Sequence, residues 1–165
     1  MKRFYIPLLV VTLLSFLACS ENNQLDMETE RDEVLKVLDN FNHAHENRDL
    51  ELLLTCFSDK PDIIILGTDE NELWVDKNSM GESQKRAYET FSTVRLSVRD
   101  KMLKMCRTGA QAWFYMKVNW YVESEGKQFT FSGIRTTGVL EKENGLWQIV
   151  QLHTSMPVTG QAVKY

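Results

Sequence analysis

The stretch from Gln128 to Pro157, QFTFSGIRTTGVLEKENGLWQIVQLHTSMP, constrains the fold of this chain more than any other. It reads as two β-rich runs joined at Asn144-Gly145, a pair whose tolerance of positive φ suits a tight hairpin turn. The length of that turn decides which side chains share a face, because a slip of one residue inverts every one of them. A two-residue loop sets Glu143 against Leu146 and His153 against Thr136, facing away from Arg135. A three-residue loop with a glycine bulge sets Lys142 against Leu146, His153 against Arg135, Gln151 against Thr137 and Val139 against Ile149. The second register is favoured, since it joins apolar to apolar and polar to polar. It would also place a cation beside His153 and hold that imidazole neutral.

The rest of the chain supplies the partners for this hairpin. Val34, Leu35, Leu38, Phe41, Ala44 and His45 recur at three- and four-residue spacing and make one apolar stripe on a helix over Glu28–Arg48. Asp49 caps a shorter helix over Leu50–Cys56. Ile63–Gly67 is a β-branched run without alternation, expected to be a strand covered on both faces. Glu72–Val75 returns as its partner, and a third helix starts at Asn78 or Ser79. Four strands follow: Val94–Met105, Gln111–Val122, Gln128–Glu141 and Leu146–Met156. Thr108-Gly109, Glu125-Gly126 and Asn144-Gly145 are the turns of this antiparallel meander. Helices segregated from such a sheet make an α+β fold.

The N-terminus suggests an address. Lys2 and Arg3 precede an apolar run over Ile6–Leu17, about a dozen residues where a membrane span needs ~20. Phe16-Leu17-Ala18-Cys19 resembles a bacterial lipobox, which implies cleavage before Cys19 and lipid on its thiol. The expected organisation is a signal peptide over 1–18, a lipidated cysteine and polar tether over 19–25, one domain over 26–158 and a tail over 159–165. The expected location is the bacterial cell envelope, as a membrane-anchored lipoprotein on its periplasmic or cell-surface face. Removing residues 1–18 leaves 17 basic against 23 acidic residues, a net charge of −6. That argues against a nucleic-acid partner, which needs a basic face. Cys56 and Cys106 lack framework spacing and are expected to be buried free thiols. No metal-ligand spacing occurs, His43 and His45 point to different faces of their helix, and neither a metal nor a cofactor is expected.

The helical start, the acidic residue opening the second helix, the Trp74–Gly81 region and the ending G-x-W-x-I-V-x-x-H-x-S-x-P carry a resemblance. The ending comprises Gly145, Trp147, Ile149, Val150, His153, Ser155 and Pro157. Over about Met27–Val158 the chain resembles the SnoaL-like branch of the nuclear transport factor 2 (NTF2-like) superfamily. Its ending is similar to the association domain of calcium/calmodulin-dependent protein kinases. The resemblance implies a cone-shaped α+β fold, with three N-terminal helices on a strongly curved sheet of about six strands. It further implies a ligand pocket and a homodimer formed through the sheet. Members include isomerases, cyclases, dehydratases and catalytically silent binding or scaffold domains, so fold alone does not name a reaction. The chain departs from its relatives at Gln151, where many carry a histidine, and at Gly138 and Lys117, where the kinase domain carries pocket arginines. Arg135 is the candidate substitute.

Alternation puts Trp113, Tyr115, Lys117, Asn119 and Tyr121 on one face of their strand and Phe114, Met116, Val118 and Trp120 on the other. The apolar set is expected in the core, and the mixed set is a pocket wall or a dimer surface. The candidate ligand-binding residues are Tyr115, Lys117, Arg135, Thr137, His153 and Ser155. Two functions remain open. One is a non-catalytic small-molecule-binding or assembly module, favoured because the chain shows no obvious acid–base dyad. The other is an isomerase- or dehydratase-type enzyme with His153 as general base and Tyr115 or Arg135 polarising a carbonyl.

Overall fold

In the computed structural model, residues 26–158 and Gly160 are described. The expected signal sequence, lipidated Cys19 and polar tether lie outside the described residues. Helix α1 spans Met27–Asn47 and opens at Asp26, whose carboxylate accepts from the Glu28 N–H. It closes at Arg48, which adopts the left-handed conformation with φ 56°. Of its expected stripe, Val34, Leu38, Phe41, Ala44 and His45 are buried, and Leu35 is half-buried against the core. Each large apolar side chain placed there contributes roughly 1.5–3 kcal/mol by leaving water. Helix α2, Leu50–Thr55, is capped by Asp49, which accepts from the Leu52 N–H. Helix α3, Lys77–Thr90, begins slightly before the expected start because Asp76 is its cap.

Six strands form one sheet: β1 Ile64–Leu66, β2 Leu73–Trp74, β3 Phe91–Met105, β4 Gln111–Ser124, β5 Lys127–Glu143 and β6 Leu146–Ser155. Their order is β2-β1-β6-β5-β4-β3, antiparallel throughout except where β1 joins β6 in parallel. The α+β fold and the curved six-stranded sheet match the expectation. The helix placement matches only loosely, because α1 and α2 precede the sheet whereas α3 follows its first two strands.

Three expectations need correction. The run at Ile63–Leu66 is not covered on both faces: Ile63 and Ile65 are buried, but Ile64 is 47% exposed on the outer face. Cys56 is buried as expected, but Cys106 is only half-buried, and both are free. Neither of the two hairpin registers survives intact. The loop is the two-residue one, with Glu143 opposite Leu146, Asn144 at φ 51° and Gly145 at φ 84°. The ladder then slips by one residue between the Leu140–Ile149 pair and the Val139–Gln151 pair. Beyond that bulge Thr137 opposes His153 and Arg135 opposes Ser155. The slip lets Ile149 and Leu152, three residues apart, both point into the core. Strict alternation would have sent one of them to solvent.

Trp147 ties this hairpin to the first helix. Its indole N–H donates to Glu30 Oε2 at 2.8 Å, and the Lys142 ammonium donates to both oxygens of Glu30 at 2.7 and 2.6 Å. Glu30 is thereby a buried carboxylate with all its partners supplied by β5 and β6.

Candidate functional site

The inner face of the sheet and the three helices line a cavity of about 320 Å³. That is at the small end of the range of ligand sites. Phe41 and His45 enter from α1, Leu53 from α2, and Met80, Ser83, Gln84 and Ala87 from α3. Trp120 and Val122 of β4, Ile134 and Thr136 of β5, and Leu152 and Thr154 of β6 form the floor. A second bulge shapes that floor. Gly133, at φ 71°, donates its N–H to Asn119 Oδ1 at 2.9 Å, and the register shifts between the Val118–Ile134 and Trp120–Phe131 pairs. The shift keeps Ile134 and Phe131 on the same inner face although they are three residues apart, so that Phe131 and Trp120 both reach the cavity.

His45 is the polar centre of this apolar space. Its ring meets Phe41 edge-on at 4.6 Å and Trp120 at 4.9 Å between centroids. Its Nδ1 lies 2.9 Å from the hydroxyl of Tyr88 on α3. Burial removes the solvation an imidazolium needs and lowers the His45 pKa from 6.5 to about 3. The same burial pushes the Tyr88 phenol well above its usual value. Both groups are therefore neutral at physiological pH. No protein partner is bonded to His45 Nε2 among the described residues, yet no buried side-chain nitrogen or oxygen is left unsatisfied there. Because His45 lines the cavity, Nε2 opens onto it.

Glu72 is the other ionisable side chain at the wall. Its Oε2 accepts from the backbone N–H groups of Thr68 and Asp69 at 2.6 and 3.0 Å, which fixes it to the loop between β1 and β2. Thr136 is buried with its side chain toward the cavity, and Ser83, Gln84 and Thr154 add neutral polar groups. Among the described residues no cluster of His, Cys, Asp or Glu could hold a metal ion.

The six residues singled out from sequence come together, but on the other side of the sheet. One cross-strand row runs His153, Thr137, Tyr115; the next runs Ser155, Arg135, Lys117. Arg135, Lys117, Thr137 and His153 are exposed, Tyr115 and Ser155 half-buried, and none lines the cavity. Arg135 donates to the Met156 carbonyl at 3.4 Å and needs no buried acid. The physical reason is alternation: Ile134, Thr136 and Leu152 point inward, so their neighbours Arg135, Thr137 and His153 point outward. Gly138 explains one departure from the kinase domain. A Cβ there would stand 2.6 Å from both the Gln151 carbonyl oxygen and Phe114 Cε1, so the position admits no arginine.

Sequence reasoning missed Tyr88, Trp120 and Thr136, and placed His45 only as one more residue of a helical stripe. The available signal was that placement: a histidine on the core-facing side of an apolar helix must find a partner or a cavity. Tyr88, on the inner side of α3, supplied the partner.

With the geometry in view, the comparisons with known proteins show how common the architecture is. The chain matches 365 chains of solved structures, so architecture alone selects no activity. A nuclear transport factor 2 superfamily protein from Salmonella enterica superposes with a TM-score of 0.73 at 19% identity, over 84% of this chain and 99% of that one. A proposed scytalone dehydratase from Novosphingobium aromaticivorans gives 0.71 at 10% identity, over 84% and 93%. A proposed calcium/calmodulin-dependent protein kinase II association domain from Xanthomonas campestris gives 0.66 at 19%, over 78% and 88%. At these identities the likeness establishes fold and nothing finer. No curated protein sequence matches the chain significantly. The SnoaL-like domain matches residues 34–159, which include α1 from Val34 onward and every strand of the sheet, and the chain therefore belongs to the SnoaL-like domain family.

Proposed function

We propose that the protein is a non-catalytic small-molecule-binding module, held at the bacterial cell envelope by lipid on Cys19. The observation that carries the binding role is the 320 Å³ apolar cavity with one unpaired imidazole nitrogen directed into it. An efficient general base has a pKa near the working pH. His45, lowered to about 3, holds too little basicity for that role, and His153 is on the opposite face of the sheet. Glu72, the other ionisable group at the wall, is held to the loop between β1 and β2 by the Thr68 and Asp69 N–H groups.

The envelope anchor is supported by the basic start, the short apolar run and Ala18-Cys19. Among the described residues no helix is long and apolar enough to cross a membrane. Exposed Met102 and Trp113, with half-buried Tyr115, form an apolar patch on the outer face of β3 and β4 that suits the homodimer through the sheet that the resemblance implies.

A neutral solvatochromic naphthyl ketone, Prodan, tests the binding role. Its emission should shift to the blue with the native protein and not with Ala87→Phe, which fills the cavity from α3. Equal emission with both proteins would remove the cavity from the function. Turnover of any carbonyl substrate that depends on His45 would overturn the non-catalytic assignment. Mass spectrometry of membrane-extracted protein should show a diacyl or triacyl increment on Cys19, and an unmodified cysteine would sink the anchor.

A further inference from the structure

The cavity carries information about the chemistry of its ligand, and that information comes from one proton. Tyr88 Oη makes a single hydrogen bond among the described residues, to His45 Nδ1. Tyr88 is buried, as is its hydrogen bond to His45, and it is not part of the cavity wall. Were Nδ1 protonated and donating to the phenol oxygen, the phenol proton would be left buried without an acceptor, an arrangement folded proteins avoid. With the phenol donating to Nδ1, both groups are satisfied. A neutral imidazole carries one proton, which must then sit on Nε2. Phe41 and Trp120 pack against the ring and hold its plane, so this N–H has a fixed direction into the cavity.

We propose that the cavity selects an uncharged, flat aromatic carbonyl compound, whose oxygen accepts from His45 Nε2–H, and that Tyr88 is the positioning residue that fixes this tautomer. The proposal rests on the binding-module assignment. A donor aimed into an apolar space favours a ligand that brings an acceptor and discriminates against one that brings only a hydrocarbon edge. Flatness follows from the aromatic residues of the wall, Phe41, Trp74, Phe91 and Trp120, which suit a planar guest. Neutrality follows from the ionisable inventory of the described wall, which is neutral His45 and the Glu72 carboxylate. Neither offers a positive charge to a bound anion, and Glu72 repels one.

Two measurements separate this proposal from the broader binding role. Nitrogen-15 spectra of the imidazole side chains should show Nε2 protonated and Nδ1 bare for His45 in the native protein, and a mixture of tautomers in Tyr88→Phe. A protonated Nδ1 in the native protein overturns the proposal, whatever binds. The second measurement is competition against Prodan by 2-acetylnaphthalene, 2-ethylnaphthalene and 2-naphthoate. The ketone should compete about tenfold better than the hydrocarbon of the same shape, the worth of one ordinary hydrogen bond. The carboxylate should be the weakest. His45→Phe should abolish the ketone's advantage over the hydrocarbon, and Tyr88→Phe should shrink it, which keeps the test open if the first variant folds poorly. Equal competition by ketone and hydrocarbon, or preference for the carboxylate, overturns the ligand class. Failure of Prodan and all three competitors to bind overturns the binding role itself, and the ligand class with it.

Discussion

Burying a neutral histidine makes stability depend on pH in a way that can be worked out in advance. In the unfolded chain His45 takes up a proton near pH 6.5, whereas in the folded protein it does so only near 3. The folded-state value is depressed, so the contribution is fully present above pH 6.5 and is lost as pH falls between the two values. Down to pH 5 the folded histidine stays neutral, and the loss is set by protonation of the unfolded chain alone. Between pH 7 and pH 5 it amounts to about 2 kcal/mol for a single group with an unfolded pKa of 6.5. This figure does not depend on how far below 5 the folded value lies. Urea unfolding of the protein at pH 7, 6 and 5, alongside His45→Gln, isolates it. Glutamine can accept the Tyr88 proton yet cannot titrate, so every other ionisable group cancels in the difference. The native protein should lose about 2 kcal/mol more than His45→Gln over this interval, provided both unfold in one step. Equal losses would mean that His45 is solvated or charged in the folded state, and the account of the cavity's donor would fall with it.

Other consequences are more local. Glu30→Gln removes the charge that Lys142 and Trp147 share, and should lower stability by about 1–2 kcal/mol at pH 7, a melting shift of roughly 3–6 °C. Lys142 and Trp147 hold the Glu30 carboxylate below its usual 4.5, so the deficit should fade as pH falls below that value; a deficit unchanged at pH 3 would refute the pairing. Gly138→Ala forces a methyl against the Gln151 carbonyl and Phe114, and should cost about 1–3 kcal/mol in denaturant titration. The Cys106 thiol is lowered to about 7, chiefly by Thr108 with help from the Gln111 N–H, while burial raises Cys56 to about 11. Iodoacetamide at pH 8 should therefore label Cys106 first, and labelling of Cys56 at a similar rate would show that α2 opens readily.

Much of this protein is legible in its residues because the forces concerned are local. Asp49 caps the helix it precedes and the α1 stripe faces the core, whereas the caps at Asp26 and Asp76 went unread. Asn144-Gly145 makes a two-residue turn, not the longer loop that pairing apolar with apolar residues favours. Alternation grouped Tyr115 with Lys117, and Phe114 with Met116, correctly. Tertiary packing decided which group faced inward and which strands slipped. The one-residue bulge in β6 exists because Ile149 and Leu152 both find room beneath the helices, and no property of Val150 or Gln151 announces that. It sends Arg135 and His153 to the same face of the sheet, but the outer one. The cavity's chemistry has the same origin. His45 and Tyr88 are 43 residues apart in the chain. Only the packing of α3 over α1 brings the phenol within 2.9 Å of the imidazole and gives a buried histidine a tautomer.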